Sequence, residues 1–218
     1  MPDYAAARLN MVESQVRPNK VTDARLLRAM LDVPREIFLP ERLQGVAYVD
    51  EDIPVAPGRY LMEPMVFARL VQAAQIAASD NVLEIGGGPG YGAAVIAQLA
   101  GRVTALESDR TMAQAAEGAL RHLGIQNVKV TTGALVDGFP AGAPYDVIVF
   151  GGAVERVPDQ VIKQLAEGGR LLAVVAPPGE PGRATFITRL GGTYSRRIIF
   201  DASTPVLPGL QLEPGFAF

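Results

Sequence analysis

Five glycines fall within seven residues, Gly86, Gly87, Gly88, Gly90 and Gly92, directly after the apolar run Val82-Leu83-Glu84-Ile85. No other stretch constrains the chain as strongly. An apolar run entering a glycine cluster, followed by the Ala-rich pattern after Tyr91, predicts a strand that turns sharply into a helix. Glycine permits positive φ and lets a ligand approach with no Cβ in the way. The amides opening the next helix carry partial positive charge and suit an anionic or carboxylate-bearing ligand. The stretch therefore predicts a nucleotide-type cofactor site at the end of the first strand of an α/β sheet.

The rest of the chain is compatible with that reading. Its 218 residues suffice for one α/β domain with a small appendage, and 49% are hydrophobic, enough for a sizeable core. A net charge of −3 with no basic block points away from nucleic acid. The absence of cysteine excludes disulfides, thiolate metal sites and a thiol nucleophile. No apolar segment approaches the ~20 residues of a membrane span, and the N-terminus shows neither a basic region nor an apolar one of signal type. The expectation is a soluble cytoplasmic protein, with no membrane or nucleic-acid partner. The sequence sets no oligomeric state. The acidic trio Asp50-Glu51-Asp52 reads as a solvated loop, since no further ligands cluster at metal spacing, and no metal is expected.

Along the chain, Asp3 to about Val16 has helical spacing, with Leu9, Val12 and Val16 on one face. Thr22 is expected to cap a second helix carrying Leu26, Leu27, Met30 and Leu31. From Arg35 to Met62 no period is sustained, and prolines and acidic residues suggest an irregular segment wrapped over a surface. Pro64 opens a helix to about Ala77. The repeating unit follows: strand Val82–Ile85, helix Gly92–Leu99, strand Val103–Leu106, a helix Arg110–Leu123 capped by Asp109, strand Val128–Thr131, strand Tyr145–Phe150, helix Asp159–Ala166 and strand Leu171–Val175. Uniformly apolar strands alternating with helices indicate a parallel sheet covered on both faces. Thr185–Leu190 and Tyr194–Phe200 around Gly191-Gly192 indicate a final antiparallel pair. The expected fold is thus a Rossmann-like, mostly parallel α/β sheet. Residues 1–78 would supply N-terminal helices and a substrate-side loop, and residues 79–218 the cofactor-binding part.

The dinucleotide fingerprint G-x-G-x-x-G fails here. Counting from Gly86, its third glycine is Tyr91; counting from Gly87, its second is Pro89. What stands is Glu84-x-Gly86-x-Gly88-x-Gly90, the arrangement seen in S-adenosylmethionine-dependent methyltransferases. Glu107, at the tip of the second strand, can accept both hydroxyls of a ribose or cap the helix that follows.

At these positions the chain resembles the protein-L-isoaspartate O-methyltransferase family. Met11-Val12-Glu13-Ser14-Gln15 and Asp23-x-x-Leu26-Leu27-x-Ala29-Met30 are similar to its opening helices. Val33-Pro34-Arg35-Glu36-x-Phe38-Leu39-Pro40 is similar to its VPRExFVP, and Ala47-Tyr48-x-Asp50 to its AYxD. Val82 to Tyr91 matches its cofactor motif, Ala143-Pro144-Tyr145-Asp146 resembles its APFD, and Gly168-Gly169-Arg170-Leu171 its GGRL. The resemblance implies a seven-stranded sheet, S-adenosylmethionine as cofactor, and methylation of a protein or peptide carboxylate, the chemistry of protein repair. It implies cofactor contacts from Glu84, Gly86, Gly88, Gly90, Tyr91 and Glu107, and from Gly133, Ala134 and Leu135, where the family has GDG. Where the family reads GQTISQP, this chain reads Gly58-Arg59-Tyr60-Leu61-Met62-Glu63-Pro64, so the acceptor serine falls on Met62. The FVPL ending is replaced around Phe200-Asp201-Ala202-Ser203. The candidate acceptor-side residues are Arg59, Tyr60 and Met62. Arg59 reads either as a guanidinium gripping the acceptor carboxylate or as an exposed loop residue. A carboxylate with a pKa near ~4 is already ionised at neutral pH, so the transfer needs orientation more than a base, and the single histidine, His122, need not take part. Two other readings stay open: a non-catalytic relative binding S-adenosylmethionine or a protein partner, and a methyltransferase with a different carboxylate acceptor.

Overall fold

The computed structural model describes residues 2–212. The apolar C-terminus Phe216-Ala217-Phe218 lies outside them. Helix α1 (Tyr4–Met11) starts at Asp3, whose carboxylate accepts from the Ala6 amide. It runs on into a wider π-type turn, Val12–Val16, and a 3₁₀ turn, Arg17–Asn19. The change of winding shifts the buried face. Met11, Val12 and Val16 are buried, while Leu9, expected on that face, is 49% exposed. The cap of α2 (Ala24–Asp32) is Asp23 and not Thr22. The Asp23 carboxylate takes the Arg25 amide at 2.8 Å, and the Thr22 amide is engaged by Gln72 Oε1.

The segment expected to be irregular is irregular only in part. It holds a 3₁₀ turn at Arg35–Phe38, the short helix α3 (Glu41–Gln44), and a two-stranded antiparallel ribbon, β1 (Ile53–Ala56) and β2 (Arg59–Leu61). Helix α4 (Pro64–Ala74) ends three residues early, because Gln75 turns left-handed with φ +48° and Arg170 takes the Ala74 and Gln75 carbonyls while pairing with Asp80 at 2.6 Å.

The alternating unit that follows is the one expected. It comprises β3 (Asn81–Ile85), α5 (Tyr91–Ala97), β4 (Arg102–Glu107), α6 (Arg110–His122), β5 (Val128–Thr132), β6 (Tyr145–Val154), α7 (Asp159–Ile162), β7 (Leu165–Val175), β8 (Arg183–Leu190) and β9 (Thr193–Asp201). Asp109 caps α6, accepting from Thr111 and Met112 at 2.7 and 3.0 Å. Helix α7 is shorter than its sequence pattern because Leu165 is already drawn into register beside Tyr145 of β6.

The strands form one seven-stranded sheet in the order β5-β4-β3-β6-β7-β8-β9. Strands β3 to β7 are parallel, and β8 runs against both β7 and β9. Strand β3 lies inside the sheet between β4 and β6, with all five residues buried. The order reverses between β3 and β6, so the cleft beyond their carboxyl ends is where a ligand fits an open α/β sheet. One apolar cluster joins α1, α2 and α4 to α5 and one face of the sheet. A second, smaller cluster covers the other face with α7 and the C-terminal segment. Among the described residues, no helix is long and apolar enough to cross a membrane.

Candidate cofactor and methyl-transfer site

The glycine turn lies at the carboxyl end of β3. Gly86, Gly88 and Gly90 have φ of +73°, +64° and +100°, values that L side chains rarely adopt. Two of these positions are also crowded. A Cβ on Gly90 would come within 2.8 Å of Ala116 on α6, and one on Gly86 within 2.8 Å of Leu207. Gly88 is different, since its nearest neighbour is the Tyr60 carbonyl at 4.0 Å. The open side of the turn therefore faces β2. The turn is braced from β6 as well: Gly151 packs so closely on Gly87 that a Cβ there would stand 2.6 Å from the Gly87 Cα.

Glu84 supports the turn from beneath. Its carboxyl lies where Cβ atoms on Gly87 or Gly92 would be, at 2.4 and 1.9 Å, and it is 2% exposed. Burial, reinforced by the negative charge of Glu107, pushes its pKa up to about 8, so the carboxyl is largely protonated at neutral pH. Its Oε2 has no protein partner. Tyr91, expected at the cofactor, instead points into the core with 1% exposure. Its ring packs against Phe38 and Phe67 at 5.8 and 5.7 Å, and the Arg35 guanidinium lies 4.7 Å from its centroid. The aromatic side chain is apolar enough to be pulled inward once helix α5 starts at that residue, and the turn above it is lined by backbone.

Glu107 stands at the tip of β4, directly under the turn. Oε2 accepts from the Gly88 amide at 3.0 Å, and Oε1 from the Ser108 and Asp109 amides at 2.7 and 3.0 Å. Of the two sequence readings of Glu107, the helix-entry one is what these bonds show: the carboxylate holds the start of α6. Arg59 occupies the rest of the carboxylate. Its Nη1 donates to Oε1 at 2.8 Å and its Nη2 to Oε2 at 2.5 Å, while Nη2 also reaches the Gly86 carbonyl at 3.0 Å. Arg59 is 4% exposed. It is neither an exposed loop residue nor turned outward toward an acceptor; β2 delivers it downward onto the strand-tip acid.

The other candidates scatter around this pair. Gly133 is tied to the tip of β4 through its amide and the Glu107 carbonyl at 3.1 Å. Ala134 is exposed, and Leu135 is buried and directed at Gly86. Met62 is buried and offers only its carbonyl, to Arg35 Nη2 at 2.7 Å. Tyr60 is half-buried in the ribbon above Gly88. His122 is exposed in the last turn of α6.

Three features escaped sequence reasoning. The first is the segment after β9. Its backbone joins the end of β6 through Ala153 to Pro205 and Leu207, and it lays Leu207 over Gly86 and Gly152. Its only sequence signal was the departure from FVPL. The second is Asp52, which accepts from the Glu63 amide at 2.9 Å and the Thr204 hydroxyl at 3.1 Å. It joins the ribbon, α4 and this segment into one roof, and burial raises its pKa. The third is an apolar cleft of about 500 Å³ beside the turn, walled by Phe38, Leu39, Val55, Pro89 and Met112. It assembles from segments distant in sequence and so had no local signature.

A glycine turn after β3 at the point where the strand order reverses, an acid at the next strand tip and a mostly parallel sheet with one reversed strand near its edge define a methyltransferase of the Rossmann-like kind. The sequence model of the family described as Protein-L-isoaspartate(D-aspartate) O-methyltransferase matches residues 7–196, and the chain belongs to that family, whose members are S-adenosylmethionine-dependent carboxyl methyltransferases. It is 42% identical over 186 residues to a protein-L-isoaspartate O-methyltransferase 1 of Rhodopseudomonas palustris, a match covering 85% of this chain and 76% of that one. It is 40% identical over 210 residues to a protein-L-isoaspartate O-methyltransferase of Koribacter versatilis, covering 95% and 93%. A solved protein-L-isoaspartate O-methyltransferase superposes with a TM-score of 0.82 at 26% identity, covering 94% of this chain and 67% of that one. The fold is also that of a Plasmodium falciparum protein solved with S-adenosyl-L-homocysteine, at TM-score 0.79 and 17% identity.

The residues present fit that cofactor. The turn offers an open, backbone-lined cradle at Gly88, and an acid stands at the second strand tip. Two features depart from that fit: Arg59 already holds that acid, and Ala134, with no polar side chain, stands where the family motif has an acid.

Proposed function

We propose that this chain transfers a methyl group from S-adenosylmethionine to a carboxylate of a protein or peptide, an isoaspartyl side chain being the leading acceptor. The juxtaposition that carries this reading is the Gly88 cradle next to Glu107, roofed by β2, inside a family match that spans most of the chain. The cofactor supplies the methyl group. The protein's part is to hold the cofactor on the turn, exclude water under the roof of β2 and the segment after β9, and present the acceptor oxygen in line. No general base is required, since the acceptor is ionised at neutral pH.

On the acceptor side, Met62 has no donor and Arg59 is committed to Glu107. The Tyr60 hydroxyl is the remaining side-chain donor of the three candidates. The apolar cleft between Phe38 and Met112 would take the residues flanking the acceptor, and its chemistry favours a peptide over a free small acid. The buried Met62 also supports a second reading, a methyltransferase whose acceptor is a carboxylate other than isoaspartyl.

The placement of the cofactor is tested at Gly151. An added Cβ must displace Gly87, backbone against backbone, and so reshape the turn. Calorimetric titration with S-adenosylhomocysteine is expected to give saturable one-to-one binding by the wild-type protein. Gly151→Ala is expected to weaken it by on the order of a hundredfold, the scale at which a misplacement of about 1 Å is felt at a functional site. Binding by Gly151→Ala equal to that of the wild type contradicts the placement.

A further inference from the structure

Glu107 has no acceptor capacity left for a ligand. A carboxylate offers roughly four lone-pair sites. Here Oε1 receives Arg59 Nη1 and the Ser108 and Asp109 amides, and Oε2 receives Arg59 Nη2 and the Gly88 amide. A ribose diol binding at a strand-tip acid must donate two hydroxyls to those same oxygens. Of these donors, the three amides are fixed backbone and the Ser108 hydroxyl, at 3.3 Å from Oε1, is a long and rotatable contact, so the two short guanidinium bonds are what a ligand must displace.

We propose that Arg59 is a built-in competitor for the cofactor, so that the ribose reaches Glu107 only when the guanidinium withdraws. The inference rests on the methyltransferase reading and names the residue of this chain that sets its cofactor affinity. Three observations support it. The pair is bidentate and nearly inaccessible, at 4% and 3% exposure, so solvent does not weaken it. Arg59 Nη2 also ties β2 to the Gly86 carbonyl, so the same contact closes the ribbon on the turn. Arg59 is carried by a ribbon only two strands wide, with an irregular register between Pro54 and Ala56, and not by a strand of the seven-stranded sheet. Where the binding-competent state is a minor one, apparent affinity falls in proportion to its population.

The test is the affinity for S-adenosylhomocysteine of the wild type, Arg59→Gln and Arg59→Lys, measured by calorimetry on the 218-residue protein. Arg59→Gln removes the charge and the fork, while the three amides still satisfy Glu107, so the variant keeps its acid. It is expected to bind at least tenfold more tightly than the wild type. Lysine keeps a cation without the planar fork and is expected to fall between the two; it also answers the question should the glutamine variant fail to fold. Tight binding by Arg59→Gln with none detected for the wild type is the limiting form of the same result. Binding by Arg59→Gln equal to or weaker than a measurable wild-type affinity overturns the competitor role and leaves the methyltransferase reading standing. No binding by any of the three proteins, all folded by circular dichroism, overturns both.

Discussion

Arg35→Ala is expected to destabilise the protein by about 3–5 kcal/mol, seen as a large fall in the urea midpoint. Arg35 is completely buried. Its Nε donates to the Ala47 carbonyl at 2.8 Å and its Nη2 to the Met62 carbonyl at 2.7 Å, while its guanidinium lies over Tyr91. Hydrogen bonds from a charged donor contribute about 1.5–3 kcal/mol each, and truncation would also leave two buried carbonyls unpaired and a cavity. Burial lowers the Arg35 pKa from its ordinary value, and the adjacent Tyr91 opposes that effect. From the turn before α3, Arg35 joins the turn after α3, the end of β2 and the first residue of α5, so its loss should also loosen the roof over the glycine turn. Arg35→Met fills part of the cavity and is expected to cost less than alanine, though both lose the two bonds. A urea midpoint within error of the wild type for Arg35→Ala would show that the roof is held by other contacts.

The second large effect is a stability that falls as pH rises. Glu84 has its folded pKa raised to about 8 from an ordinary 4.5 by burial and by Glu107. A raised carboxyl binds its proton more tightly folded than unfolded. Stability is therefore unaffected below the unfolded pKa, declines between about 4.5 and 8, and is fully lowered above that window. At about 1.4 kcal/mol per pKa unit the decline amounts to a few kcal/mol. Glu63, raised to about 7 by burial and by Asp52 and Asp50, adds a smaller slope of the same sign. Glu84→Gln keeps the shape of the side chain without the titrating proton. Urea denaturation at pH 5.5 and 8.5 should show the wild type markedly weaker at the higher pH and the variant with only the residual slope. Parallel pH profiles for the two proteins would remove Glu84 as the source.

Much of the fold was legible because its signals are local. Val82–Ile85 and Val147–Phe150 are continuously apolar, as strands buried on both faces must be. Asp109 followed by a periodic run announced α6, and Gly191-Gly192 announced the final hairpin. What failed was decided by distant partners. Leu165 leaves its helix because β6 offers it a place in the sheet. Thr22 yields the cap to Asp23 because Gln72, fifty residues on, takes the Thr22 amide. Within the site, the glycine turn and Glu107 could be read from spacing, since backbone conformation at a turn is written in its own residues. The direction of a side chain is not. Tyr91 belongs to the matched motif yet faces the core, and Arg35 and Arg170, both in segments resembling family motifs, clamp carbonyls. Arg59 read as an acceptor grip or as an exposed loop residue, because a guanidinium suits any carboxylate and equally suits water. The sequence could not say that the carboxylate it finds is Glu107, 48 residues away.

The central claim is methyl transfer to a carboxylate, and the most direct measurement is transfer of labelled methyl from S-adenosylmethionine to a peptide containing one isoaspartyl residue, with the aspartyl isomer as control. A carboxyl methyl ester is hydrolysed by mild base and releases its label as volatile methanol, whereas methylated nitrogen retains it. The account predicts base-labile label on the isoaspartyl peptide, little on the aspartyl one, and loss of transfer in Gly151→Ala. Label that survives base, or no transfer to any peptide or cell-extract carboxylate by a protein that binds the cofactor, would contradict it.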